Sequence, residues 1–274
     1  MTDTLPPILL LGGGKMGGAM LAGWRERGLA PSFVVDPAPA AAALAGGGVQ
    51  VVESAEAIPP GFEPTAVVIA VKPQQADTAL PGLTRFMAGE AVALSIMAGR
   101  DIAGVQALLK PGLKPGAPVV RAMPNTPAAI RQGITVACPG PGITAGQRSL
   151  CDTLLASVGE VAWVDDESLI DAVTAVSGGG PAYVFLLAEL LERAAAEQGI
   201  PPALARRLAR VTVAGSGALL AASAEDASAL RIAVTSPAGT TERALAVLMA
   251  EDAWPALVSR AIDAATRRSR ELAG

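Results

Sequence analysis

Ile8-Leu9-Leu10-Leu11-Gly12-Gly13-Gly14-Lys15-Met16-Gly17 places a short apolar strand directly before a glycine turn, and a helical run from Met16 to Trp24 follows it. This is the G-x-G-x-x-G spacing in its strand-turn-helix context. There the first glycine allows the tight turn, the second lets backbone approach a pyrophosphate, and the third lets helix and strand pack closely. The helix N-terminus adds N–H donors and a positive dipole end that suit phosphate. Read alone, three adjacent glycines also describe a flexible loop. Asp36, nineteen residues after Gly17, ends the next apolar run, where a carboxylate accepts hydrogen bonds from an adenosine ribose; the alternative is a loop aspartate before Pro37. Together they predict a bound nicotinamide dinucleotide, NAD(P)H. No basic residue lies between Arg27 and Lys72, so none near Asp36 in sequence is placed to hold a 2′-phosphate, which taken alone favours NADH over NADPH.

Working outward, apolar runs recur at Phe33 to Val35, Val49 to Val52, Ala66 to Val71, Ala91 to Ile96, Val119 to Ala122, Ile134 to Ala137 and Glu160 to Val164. Their alternation with helical stretches predicts a Rossmann-type, doubly wound, mostly parallel sheet over residues 1–163, covered by helices on both faces. After Asp165 the β-branched runs disappear. From Pro181 to Gly199 the charges Glu189, Glu192, Arg193 and Glu197 share one face, and Tyr183, Phe185, Leu186, Leu187, Leu190 and Leu191 fill the rest. Further helices are expected over about 202–222, 225–234, 240–250 and 252–272, making residues 164–274 an all-helical substrate-binding and dimerisation domain. So much apolar surface on so few residues predicts a homodimer or larger assembly.

Composition narrows the chemistry. The 274 residues are 51% hydrophobic, yet no apolar run reaches the 18 or so residues of a membrane span. The longest, Val211 to Ser223, suits the buried helix of a globular core. The N-terminus lacks the basic and apolar regions of a signal peptide, so cytoplasm is the default expectation. Net charge is −4, with no basic patch for nucleic acid. There is no histidine, which excludes Ser-His-Asp triads and histidine-ligated metals, and no metal site is expected. Cys138 and Cys151, without a CxxC spacing, read as two free thiols.

Four further segments stand out: Ala70-Val71-Lys72-Pro73-Gln74, Arg121-Ala122-Met123-Pro124-Asn125-Thr126-Pro127, Ser177-Gly178-Gly179-Gly180-Pro181-Ala182-Tyr183, and Ser236-Pro237-Ala238-Gly239-Thr240-Thr241. The first two follow strands whose carboxyl ends are where such sheets bind ligands. On its own the last reads as a helix start, with hydroxyl capping and Glu242 in the first turn. Together the segments resemble the pyrroline-5-carboxylate reductase family, from Leu11 to about Glu251. The most specific part is Leu230 to Leu248, where a Ser-Pro-(Gly/Ala)-Gly-x-Thr turn opens a helix carrying Ala244-Leu245.

The resemblance implies hydride transfer from NAD(P)H to the C=N bond of 1-pyrroline-5-carboxylate, giving L-proline. It places Leu11, Gly12, Gly13, Gly14, Lys15, Met16 and Gly17, then Ala70, Val71, Lys72 and Pro73, and Met123, Pro124 and Asn125 around the cofactor, Asn125 near the nicotinamide. Ser236, Gly239, Thr240 and Thr241 are implied to hold the substrate, its carboxylate at the N–H groups where the helix begins. The Thr241 hydroxyl, a weak acid, is implied to orient the ring nitrogen and relay its proton. The chain departs from the family's usual residues at Lys15, Gly17, Gly179 and Ala238. Alanine at 238 matters only if the turn needs a positive φ there. A β-hydroxyacid dehydrogenase or related imine reductase shares the glycine turn but uses a lysine on a late helix, and none follows Lys114. A non-catalytic NAD(P)-sensing protein is the reading from another class.

Overall fold

The computed structural model describes residues 4–87, 89–109 and 117–273. Eight strands lie among them: β1 (Ile8–Leu11), β2 (Ser32–Val35), β3 (Val49–Val52), β4 (Ala66–Ile69), β5 (Val92–Ser95), β6 (Val119–Met123), β7 (Gly133–Pro139) and β8 (Gly159–Trp163). They form one sheet in the order β3-β2-β1-β4-β5-β6-β7-β8. The ladders from β3 to β6 are parallel; β7 runs antiparallel to β6, and β8 pairs parallel to β7. The order reverses beside β1, where doubly wound sheets open a ligand crevice.

Both faces are buried, which is why the central strands read as continuous apolar runs. Because side chains alternate along a strand, Leu9, Leu11, Val67 and Ile69 enter one core while Ile8, Leu10, Ala66 and Val68 enter the other. The helices over these faces are α1 (Lys15–Glu26), the single turn α2 (Ala76–Ala79), α3 (Ile102–Leu108) and α4 (Ala145–Leu155). The crossovers from β2 to β3 and from β3 to β4 carry only the 3-10 turns Pro39–Leu44 and Ala55–Ala57, so cover is thinner there than the sequence pattern suggests. Trp24 of α1 is fully buried, and its Nε1 donates to Leu154 O of α4 at 2.9 Å.

The chain forms two compact units. The first runs to Gly178 and includes the chain end from Ala265; the second is Gly179–Ala264. The end of the sheet at Trp163 is therefore not where the first unit ends. Helix α5 (Leu169–Val173) and the π-turn Thr174–Gly178 belong to it, because Ile170 is fully buried in its core. So does Arg121, only 3% exposed in its side chain, whose Nη1 meets Glu167 Oε1 at 3.1 Å and whose Nη2 lies 3.6 Å from Asp171 Oδ1. The Ser269 hydroxyl donates to that same Asp171 oxygen at 2.7 Å, tying the C-terminal turn to the sheet.

The second unit contains α6 (Gly180–Glu197), α7 (Pro202–Ala222), α8 (Ala227–Ala233), α9 (Thr240–Leu248) and most of α10 (Trp254–Ala273). Here one expectation is overturned. The Val211 to Ser223 segment is not a buried core helix: Val211, Leu219 and Leu220 are 63%, 56% and 49% exposed. Within the second unit only Ala205 and Ala209 are buried among the described residues, so its helices have no core of large side chains of their own. The helices of this unit therefore keep wide apolar faces uncovered within one chain, the kind of surface that a partner covers.

Candidate active site

The site begins at the turn between β1 and α1. Gly12 has φ +96, and a Cβ there would stand 2.7 Å from Ala70 O at the end of β4, so both conformation and space require glycine. A Cβ on Gly17 would fall 2.1 Å from Gly12 O, because the first turn of α1 rests directly on the loop. Gly14 is different: apart from its chain neighbours and its own helix backbone, no heavy atom of the described residues lies within 4 Å of its Cβ direction, and it is exposed. It is the N-cap of α1, and no side chain caps that end. An uncapped helix N-terminus beside open space has the donor set and the room that a pyrophosphate requires. The residues present fit the group.

Asp36 closes the turn from below. Its Oδ2 accepts the Gly13 N–H at 2.7 Å and its Oδ1 accepts the Ala38 N–H at 2.8 Å. The carboxylate thus fixes the second glycine as well as standing at the end of β2. Ala70 and Val71 are half-buried past β4, and Lys72, exposed, precedes the 3-10 turn Pro73–Gln75.

At the end of β6, Met123 and the following Pro124 are buried and Asn125 is half-buried. Both ends of the Asn125 amide are engaged. Its Oδ1 accepts the Ile134 N–H of β7 at 3.0 Å and its Nδ2 donates to Ser177 Oγ at 3.2 Å. Ser177 lies in the π-turn, a local widening of the helix that is frequent at functional sites. Sequence reasoning missed this partnership, and it missed the Arg121, Glu167, Asp171 and Ser269 cluster. A signal existed: a lone arginine inside an apolar strand needs carboxylates, and Glu167 and Asp171 stand at i, i+4 spacing.

In the second unit, Ser236, Thr240 and Thr241 are exposed at the start of α9. Ala238 has φ +58, so the departure from glycine falls on a position that does need the left-handed region. The Gly239 N–H, expected to meet a substrate carboxylate, donates instead to Ser236 O at 3.0 Å, which leaves that expectation on Thr240 and Thr241. Gly239 is the N-cap of α9, and no side chain caps it. The Ala238 N–H donates to Glu242 Oε2 at 2.9 Å.

Both cysteines are free and buried, and burial pushes the Cys151 thiol up to about 12, which leaves it inert. Burial likewise raises Cys138.

A pyrroline-5-carboxylate reductase from Pseudomonas aeruginosa is 39% identical over 98% of this chain and 97% of its own length. The chain belongs to the pyrroline-5-carboxylate reductase family. The model for the family's dimerisation domain matches residues 167–272, and that of an F420-dependent NADP oxidoreductase domain matches 7–99. Among solved structures, the family member from Coxiella burnetii superimposes with TM-score 0.88 at 29% identity, covering 98% of this chain and 99% of that one. A Plasmodium falciparum pyrroline carboxylate reductase solved with NADP bound shares the fold, with TM-score 0.81 at 24% identity and 99% of each chain covered. The helical stretch Leu169–Glu197, which includes the π-turn, is long and apolar enough by composition to cross a bilayer, contrary to the sequence expectation, and falls within the family's dimerisation domain.

Proposed function

We propose that this chain reduces 1-pyrroline-5-carboxylate to L-proline with NAD(P)H, working in the cytoplasm as a homodimer or larger assembly. The observation that carries the reading is the combination, in one family member, of an uncapped glycine turn fit for a dinucleotide and a second uncapped helix start bearing Thr241. When bound, the reduced nicotinamide supplies the hydride. Gly12 to Gly17 hold the pyrophosphate, Asp36 the adenosine ribose, and Ala70 to Pro73 with Met123, Pro124 and Asn125 line the cofactor. Asn125 contributes geometry, because its amide is pinned at both ends.

The substrate brings a carboxylate and an imine nitrogen that must carry a proton before its neighbouring carbon accepts hydride. The N–H groups of Thr240 and Thr241, at the positive end of α9, bind the carboxylate. The Thr241 hydroxyl orients the ring nitrogen and relays its proton. The absence of a lysine after Lys114 removes the catalyst that a β-hydroxyacid dehydrogenase would use. Exposed apolar side chains on α6 and α7, among them Phe185 at 68% and Val211 at 63%, support burial against a second copy.

The test follows NADH and NADPH absorbance with racemic pyrroline-5-carboxylate and, separately, with β-hydroxy acids. Rapid oxidation with the imine alone is expected. In Thr241→Ala, turnover should fall at least about tenfold, the weight of one hydrogen bond to a charged group, with cofactor affinity unchanged. Unchanged turnover removes Thr241 from the mechanism, and oxidation by hydroxy acids overturns the assignment.

A further inference from the structure

The turn before α9 holds a residue that its backbone does not suit. Ala238 sits at φ +58, a conformation that glycine enters freely and alanine resists. Something must hold it there. Ser236 O accepts the Gly239 N–H at 3.0 Å, which closes the turn on the far side of Ala238 but does not touch that residue's own amide. The Ala238 N–H is taken by Glu242 Oε2 at 2.9 Å, reaching back from the first turn of the helix. The pair is exposed, so burial does not impose the kink; what holds it is the Ser236 to Gly239 turn bond together with the Glu242 acceptor on the Ala238 amide. A carboxylate in that first turn is also favoured by the helix dipole.

We propose that Glu242 is a positioning residue for the substrate turn: by accepting the Ala238 N–H it holds the left-handed kink that orients the Thr240 and Thr241 N–H groups and the Thr241 hydroxyl. A glycine at 238 would adopt the kink unaided, so the role of Glu242 exists because alanine stands there. This rests on the reading of Ser236 to Thr241 as the substrate-binding turn. Glu242 itself touches no reacting atom.

The test is a four-member set: the unaltered protein, Glu242→Ala, Glu242→Gln and the double variant Ala238→Gly/Glu242→Ala. KM for pyrroline-5-carboxylate and KM for the reduced cofactor are measured for each. Alongside, hydrogen exchange of the Ala238 amide is followed by NMR in the intact protein. In Glu242→Ala the imine KM should rise about tenfold, the weight of one charge-assisted hydrogen bond, while cofactor KM changes less than about twofold. The Ala238 amide should exchange faster. Glu242→Gln keeps an acceptor and should stay close to the unaltered protein. The double variant should recover most of the imine KM, which general damage to the helix would not allow.

An unchanged imine KM in Glu242→Ala, equal rises in both KM values, or no recovery in the double variant overturns the proposal. If the unaltered protein fails to reduce the imine, the functional reading falls. The exchange rate then decides whether Glu242 holds the turn: an Ala238 amide no faster in Glu242→Ala refutes that too.

Discussion

Replacing Asp171 by alanine should destabilise the first unit far more than its position, away from the glycine turn, suggests. The Asp171 carboxylate faces Arg121 Nη2 at 3.6 Å and accepts the Ser269 hydroxyl at 2.7 Å. Arg121 is nearly sealed from water, 3% exposed in its side chain, and its Nε and Nη2 have no hydrogen-bond partner among the described residues. Removing one member of a buried ion pair costs about 3–5 kcal/mol, because the remaining charge is stranded in low dielectric. Glu167 still neutralises part of the guanidinium, at 3.1 Å, and is itself 29% exposed, which lowers the expected loss to about 2–3 kcal/mol. At about 2–4 °C per kcal/mol for a domain of this size, the thermal midpoint should fall by about 4–12 °C. Circular dichroism melts of the cofactor-free protein read this directly. The decisive comparison is Arg121→Met/Asp171→Ala, in which no stranded cation remains; it should regain at least half of the loss. A shift below about 2 °C in Asp171→Ala, or a double variant no more stable than the single one, refutes the reasoning.

Two further outcomes follow from the same structure. In Asp36→Ala the Gly13 and Ala38 N–H groups lose their acceptor and a negative charge leaves the ribose site; the ratio of kcat/KM for NADPH over NADH should rise about tenfold or more, and an unchanged ratio would remove Asp36 from cofactor choice. Because burial holds the Cys151 thiol up to about 12, only about one part in ten thousand is thiolate at pH 8, so Cys151 should resist iodoacetamide until the protein unfolds; native-state labelling found by peptide mapping would contradict its burial.

The glycine turn was readable because its requirements are local. Each glycine answers a contact within one strand-turn-helix unit, so the spacing carries the geometry with it. The central strands β1, β2, β4, β5 and β6 were readable for a related reason: a strand buried on both faces is largely apolar, and each shows such a run between turn residues. Thr241 and Asn125 were legible only through resemblance, since nothing in their chemistry alone separates them from a helix cap or a loop amide.

What lay beyond the sequence is whatever depends on residues far apart in the chain. Arg121 finds its carboxylates 46 and 50 residues on and Ser269 joins them across another 98, a closure that no local pattern encodes. Val211 to Ser223 looked like core because apolar content says only that a surface must be covered, not by what; the chain alone leaves it open. Ala238 shows the division most plainly. The sequence determined that alanine stands where glycine is usual. Only the folded backbone, with φ at +58 and Glu242 one helical turn away, decided that the difference has a consequence, because conformational strain belongs to a dihedral angle and not to a letter.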